Sequence, residues 1–233
     1  MGGRAVRWLA LDMGRNRPLL ARRVDNDTTN QSENIAVSTF EQTDDCARVV
    51  QDMQRWLERA VIGLNLCPFA KAVHVKELIR YTVCLEGSPD LVLLELEREL
   101  LRLADDSPDL VDTSLLILPE AFLHFMEFND FLKRANKLLA RMKLEGIIQL
   151  ASFHPAFQFA DTEPNDITNF SNRAPYPTLH LLREISIDRA VKAFPKAHDI
   201  FGQNMETLSR LGHAGWSQLD LGPCVGAVRE SSS

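Results

Sequence analysis

Only four of the 233 residues are cysteine (Cys46, Cys67, Cys84 and Cys224), and they lie too far apart to form a CxxC pair. This argues against a disulfide framework and for a reducing compartment, so the expected location is cytoplasmic. Long apolar runs are missing too. A membrane-spanning helix needs ~18 consecutive apolar residues, whereas low-charge apolar stretches such as Ser114–Pro119 are strand-sized, so no membrane role is expected. Positive charge is not in excess. The net charge of -6 and pI of about 5.5 argue against nucleic acid as a partner. The GxGxxG, Walker, HExxH and GxSxG motifs are absent, so the common nucleotide, zincin and hydrolase-elbow mechanisms have no support. There is no internal repeat and no low-complexity segment.

What is present is ordinary for a globular protein: 45% hydrophobic and 25% charged residues, and enough chain for one domain with a sizeable core. Charge is unevenly distributed. Met1 to Arg23 holds six arginines and one aspartate, a charge of +5, which leaves -11 for the remainder. An Arg-rich, acid-poor start can be an organelle transit peptide, but this one lacks Ser and Thr, so an extension outside the fold is the preferred reading. Val24 to Thr43 is polar and expected to be loose. The expected organisation is a loosely ordered extension over 1–43, one globular domain over 44–213, and a flexible tail over 214–233.

Val49, Val50, Met53, Trp56, Leu57, Ala60, Val61 and Leu64 recur at helical spacing, stopping at Gly63–Asn65. Ile79 to Leu85 is β-rich. Ser88-Pro89-Asp90 opens a helix to about Ala104, with Leu93, Leu96, Leu100 and Leu103 inward and Glu95, Arg98, Glu99 and Arg102 as an exposed charge ladder. Thr113 to Leu118 reads as a strand, Phe122 to Met142 as a helix with a break at Asn129-Asp130, and Ile147 to Phe153 as a third strand. Thr178 to Glu184 is strand or short helix. Ser186 caps a helix to Phe194, and Asp199 to Leu211 forms another that ends at Gly212. Strands alternating with amphipathic helices predict an α/β fold, a small mostly parallel sheet (β-α-β-α-β) with flanking helices. The rival is an α+β ferredoxin-like sheet.

Between the third strand and Leu179 lies a loop longer than the ~12–15 residues that compact domains usually tolerate without a functional reason. It is rich in Asn, Asp and Pro yet carries Phe157, Phe159, Phe170 and Tyr176, so it is expected to be ordered and functional. Ligands of open parallel sheets bind at the carboxyl ends of strands, which places His154 at the mouth of a site. His180 and Glu184, four apart, share a face whether the segment is helix or strand. Glu184 then either orients the imidazole or forms a surface ion pair with Arg183 or Arg189. Asn169, Asn172 and Arg173 supply donors for substrate binding, and Arg183 offers a second planar fork. The alternative for the asparagines is turn closure. Asp161, Glu163 and Asp166 could hold a hard cation, with a solvated acidic loop as the plainer reading.

Cys67 precedes Pro68, a favoured first helical residue, and so falls at the N-cap of a short helix toward Val73. Unpaired N–H groups there would lower its pKa. A buried structural thiol is the alternative. With His154 and His180, Cys67 could form a nucleophile and acid/base set or a Cys/His/His metal set, although no local ligand spacing supports metal.

The segments Gly63–Lys71, Ser152–Pro155, Asn169–Arg173 and Pro175–Glu184 together resemble an uncharacterised domain-of-unknown-function family, over roughly Asp45 to Gly212. Its pattern has Ser where this chain has Ala174, so a hydroxyl there is not essential. The resemblance transfers no activity and implies that the first 40 or so residues are extra to the domain. The expected function is an enzyme acting on a small anionic metabolite through Cys67, His154, His180 and Glu184. The alternatives are a non-catalytic anion- or protein-binding module and a Cys67/His154/His180 metalloprotein. No pattern specifies a cofactor or an oligomeric state.

Overall fold

In the computed structural model the described residues are 34–193 and 199–222, with side chains described from Asp44 onward. The Arg-rich start and the end of the expected tail, with Cys224, lie outside them. Helix α1 (Asn34–Trp56) runs on through a π-helical stretch, Leu57–Ile62, and is followed by α2 (Ala70–Val75), β1 (Ile79–Val83), α3 (Pro89–Asp105), β2 (Thr113–Ile117), α4 (Phe125–Arg141), β3 (Ile148–Phe153), β4 (Thr178–Arg183), α5 (Glu184–Ala193) and α6 (Ile200–Ser217). A 3-10 turn, Ile167–Asn172, lies in the long loop. The backbone of 34–43, expected to be loose, is helical and continuous with α1.

The protein is a mixed α/β structure with a single open four-stranded sheet and flanking helices, in the order β1-β2-β4-β3. β1 and β2 pair in parallel, as β-α-β alternation predicts. The mostly parallel expectation fails at the next step. β4 lies between β2 and β3 and is antiparallel to both. The reason is the connection. The segment from β3 to β4 contains no crossover helix, so the chain returns from the same end of the sheet and pairs antiparallel. The element order β-α-β-α-β-β also differs from the ferredoxin-like β-α-β-β-α-β.

Thr178 to Arg183 is therefore strand, and an interior one. Leu179 and Leu181 point into a core built with α3 and α4, among Val92, Leu96, Leu100, Phe128 and Phe131. The opposite face of the sheet carries Leu115 and Ile117, packed against Val49, Met53, Trp56 and Tyr176 under α1. Leu221, beyond the expected domain end at 213, is buried in this second core. α4 starts at Phe125, not Phe122, because Phe122 takes a left-handed φ of 56° and turns its ring onto Phe128 and Phe131. It runs unbroken past Asn129 and Asp130.

The charge ladder expected on α3 is interrupted. Glu99 is fully buried, accepting from Ser114 Oγ at 2.7 Å and Arg102 at 3.1 Å, with Arg80 at 3.8 Å. Val92, Leu96, Leu100 and Leu103 set the inward stripe, and Glu99 falls beside it over the start of β2. Removing one member of a buried charge cluster leaves the rest uncompensated and costs about 3–5 kcal/mol. Glu99→Ala should therefore lower unfolding stability by about that amount in urea titrations. Asp130→Ala, which breaks only the surface pair with Lys133, should cost less than about 1 kcal/mol.

Candidate functional site

The loop of residues 154–177 builds its own interior from polar residues. Phe153 packs edge-on against Trp56 on the α1 side of the sheet. Strand alternation then turns His154 to the other side, between the rings of Phe125 and Phe128, each 5.4 Å away. His154 is fully buried. Its Nδ1 accepts the Ala156 N–H at 3.0 Å, so Nε2 carries the proton and donates to the Phe122 carbonyl at 2.8 Å. Burial lowers its pKa below the ordinary histidine value, opposed by the hydrogen bond to Phe122 and reinforced by Arg173 and His124. This imidazole is neutral and both its nitrogens are engaged.

Asn169, also fully buried, is the hub of the loop. Its Oδ1 accepts from the Phe159 amide at 2.9 Å and Thr162 Oγ1 at 2.8 Å, and its Nδ2 donates to the Glu163 carbonyl at 2.9 Å. Asp166 caps the 3-10 turn by accepting from the Thr168 hydroxyl and amide, contacts that lower its pKa. Asn172 accepts from Ser171 Oγ, and its backbone carbonyl accepts the His154 amide. Arg173 donates from Nε to the Phe157 carbonyl and from Nη2 to the Pro164 carbonyl, with its guanidinium carbon 4.2 Å from the centre of the Phe170 ring.

One edge of this loop forms a wall of an open cavity of about 470 Å³. Arg173, Pro155, Ala156, Gln158, Pro164 and Asn165 line it from the loop, and His124, Phe125 and Met126 from the start of α4. His124 is the N-cap residue of that 17-residue helix and makes no side-chain cap, so the positive end of the helix faces the cavity without one. Sequence reasoning assigned nothing to His124, Gln158 or Asn165. The signal available was the position of His124 immediately before an amphipathic helix.

The other expected residues lie elsewhere. His180 sits on the α1 side of the sheet, opposite Leu115 and Ala151, with Phe153 5.9 Å away. Thr113 has one hydroxyl hydrogen, donated to the Leu181 carbonyl at 2.7 Å, so its oxygen accepts the His180 Nε2–H at 2.8 Å. Burial pushes the His180 pKa down to about 4. His154 and His180 are thus on opposite faces of the sheet. Glu184 opens α5 while His180 is in β4, so the shared-face expectation, which needs one regular element, does not apply. Arg183, at the far end of β4, donates to the Asp106 and Val111 carbonyls. A six-residue strand spans about 17 Å, so Arg183 and Arg173 belong to opposite ends of the sheet.

Cys67 packs partly buried against the α1 core. Backbone N–H groups of Phe69 and Ala70 reach its thiol and favour the thiolate, but burial outweighs them and raises the pKa. This reverses the expected direction. The helix starts at Ala70 with Phe69 as its cap residue and runs only six residues, so Cys67 stands before a weak dipole. Among the described residues no three His, Cys, Asp or Glu side chains are grouped so as to hold a metal ion.

The chain belongs to the family described as protein of unknown function (DUF1415), whose model matches residues 48–218. No curated protein and no solved structure matches it.

A depressed histidine pKa means that the unfolded chain binds the proton first. His180 then contributes stability that is complete above pH 6.5 and is lost as pH falls toward 4. Urea midpoints measured across that window should fall with pH in the wild type and fall less steeply in His180→Gln.

Proposed function

We propose that this protein binds a small anionic molecule in the cavity between the start of α4 and the β3–β4 loop. The observation that carries this reading is the placement of Arg173. Two loop carbonyls and the Phe170 ring hold its guanidinium at the wall of a 470 Å³ space. A planar, pre-oriented fork loses little freedom on meeting a carboxylate or phosphate. The first turn of α4 adds N–H groups and a favourable dipole from the opposite wall. Phe125, Met126 and Pro155 would cover the apolar part of a ligand, while Gln158, Asn165 and His124 would fix its orientation. Asn169 and Asn172 act here by shaping the loop that aims Arg173.

A thiol-dependent enzyme is the second reading, favoured by the two amides that reach the Cys67 sulfur. It would pair Cys67 with His180 on the α1 side, with Glu184 near the end of β4, and would leave His154 a positioning role.

Titration of labelled protein with inorganic phosphate and with citrate should shift the amides of 124–126 and 173. Arg173→Met should weaken binding about tenfold or more, the loss of one charged hydrogen-bonding group. Ala156→Phe should fill the cavity and abolish binding while leaving the loop hydrogen bonds intact. No shift at these residues up to about 10 mM anion, which would leave any binding weaker than about −3 kcal/mol, would sink the reading. Iodoacetamide reacts with the thiolate, so Cys67 alkylation should rise only well above the ordinary thiol pKa of about 8.5. A fast reaction at pH 7 would favour the thiol reading instead.

A further inference from the structure

We infer that the second segment of α6, His213–Ser217, is a positioning element for the anion site and acts through the Phe170 ring on the Arg173 guanidinium. This rests on the anion reading above and extends it to residues that line no part of the cavity. Arg173 has two kinds of support. The Phe157 and Pro164 carbonyls fix its nitrogens, and the Phe170 ring lies 4.2 Å from its guanidinium carbon. The carbonyls belong to the loop backbone. The ring is a half-buried side chain on a six-residue 3-10 turn, so its orientation depends on what packs against it.

That packing comes from α6. The rings of His213 and Trp216 meet Phe170 at centroid distances of 5.3 and 5.2 Å, with interplanar angles of 74° and 79°. Near-perpendicular aromatic pairs at this separation are favourable beyond the area they bury. One break in the helix brings both rings to the place. Gly212 takes a φ of 63°, a left-handed value that glycine adopts without a Cβ penalty, and interrupts α6 there. Before the break, Leu208 is fully buried and seats the first segment. After it, His213 and Trp216 are three residues apart, share a face and reach the same ring.

The segment is itself anchored from the other side. Trp216 and Leu219 pack against the α1 core, and Arg59 donates to the Leu219 and Asp220 carbonyls at 3.0 Å. On the loop side, the Asp166 carboxylate that caps the 3-10 turn is favoured first by its Thr168 hydrogen bonds and also by His213. Contacts therefore run without a gap from α1 through Trp216 and Phe170 to Arg173. An arginine already held in place loses less rotamer freedom on meeting an anion. Binding linkage is reciprocal, so an anion on Arg173 must steady α6 by the same factor that α6 adds to its affinity.

Inorganic phosphate titrated into the labelled full chain gives a wild-type Kd from the amides of 124–126 and 173. Phe170→Leu keeps an apolar side chain but removes the ring, and should raise that Kd about two- to tenfold, the effect of one long side chain left to be ordered on binding. Trp216→Ala should raise it in the same range, and Trp216→Phe, which keeps an aromatic ring, should restore it. Phosphate should also slow hydrogen exchange at the amides of 213–217 in the wild type, a response that a purely structural α6 would not give. If Trp216→Ala does not fold by circular dichroism, His213→Ala, at an exposed position, decides in its place. A wild type that shows no phosphate shifts overturns the anion reading and this inference with it. Phosphate binding whose Kd is unchanged in the α6 variants overturns this inference alone and leaves the anion reading standing.

Discussion

Strand β4 has to complete two hydrogen-bond ladders and divide two cores at the same time. Leu179 and Leu181 enter the core beneath α3 and α4, while Thr178 and His180 face the α1 side. With partners on both edges and helices on both faces, every polar group the strand brings inside must be matched internally. That constraint explains the pairing of His180 with Thr113, of Thr113 with the Leu181 carbonyl, and of Arg183 with the Asp106 and Val111 carbonyls. The residues that stand out in the sequence as chemistry are, around β4, the means by which a polar strand is kept inside.

The same constraint shapes the β3–β4 loop. A segment this long must return antiparallel over the end of the sheet, and its backbone leaves many amides and carbonyls without strand partners. Asn169, Asp166, His154 and Arg173 meet them one by one. The loop is internally hydrogen-bonded for that reason, and two of its carbonyls hold the Arg173 cation in one direction at the rim of an open space. The proposed anion site and the loop's internal hydrogen bonds are two results of the same residues.

Much of the fold is legible in the sequence. The 3.6-residue stripes of α3 and α4, the apolar Thr113–Ile117 and the Ser88-Pro89-Asp90 start announce themselves, because local periodicity and capping chemistry act within a few residues. Glu99 is not legible. It has the same sequence surroundings as its exposed neighbours, and only the approach of Ser114 and Arg80 from the sheet makes it a buried group. The candidate site is legible as a region and not as a set. Part of the loop, with Arg173, lines the cavity, but His154 is buried beneath it, and Cys67, His180 and Arg183 belong to the other face or the far end of the sheet.

The sequence by itself determined most of the helices and three of the four strands, leaving Thr178 to Glu184 open, and of its expected β-α-β-α-β sheet the parallel β1–α3–β2 unit holds, since these follow from local spacing and residue chemistry. Tertiary structure alone decided that β4 enters between β2 and β3, which face of the sheet each histidine occupies, and that burial raises the Cys67 pKa where a helix end was expected to lower it. A one-residue step along a strand reverses the face, and desolvation depends on what surrounds a group in space. Neither is written in the neighbouring residues.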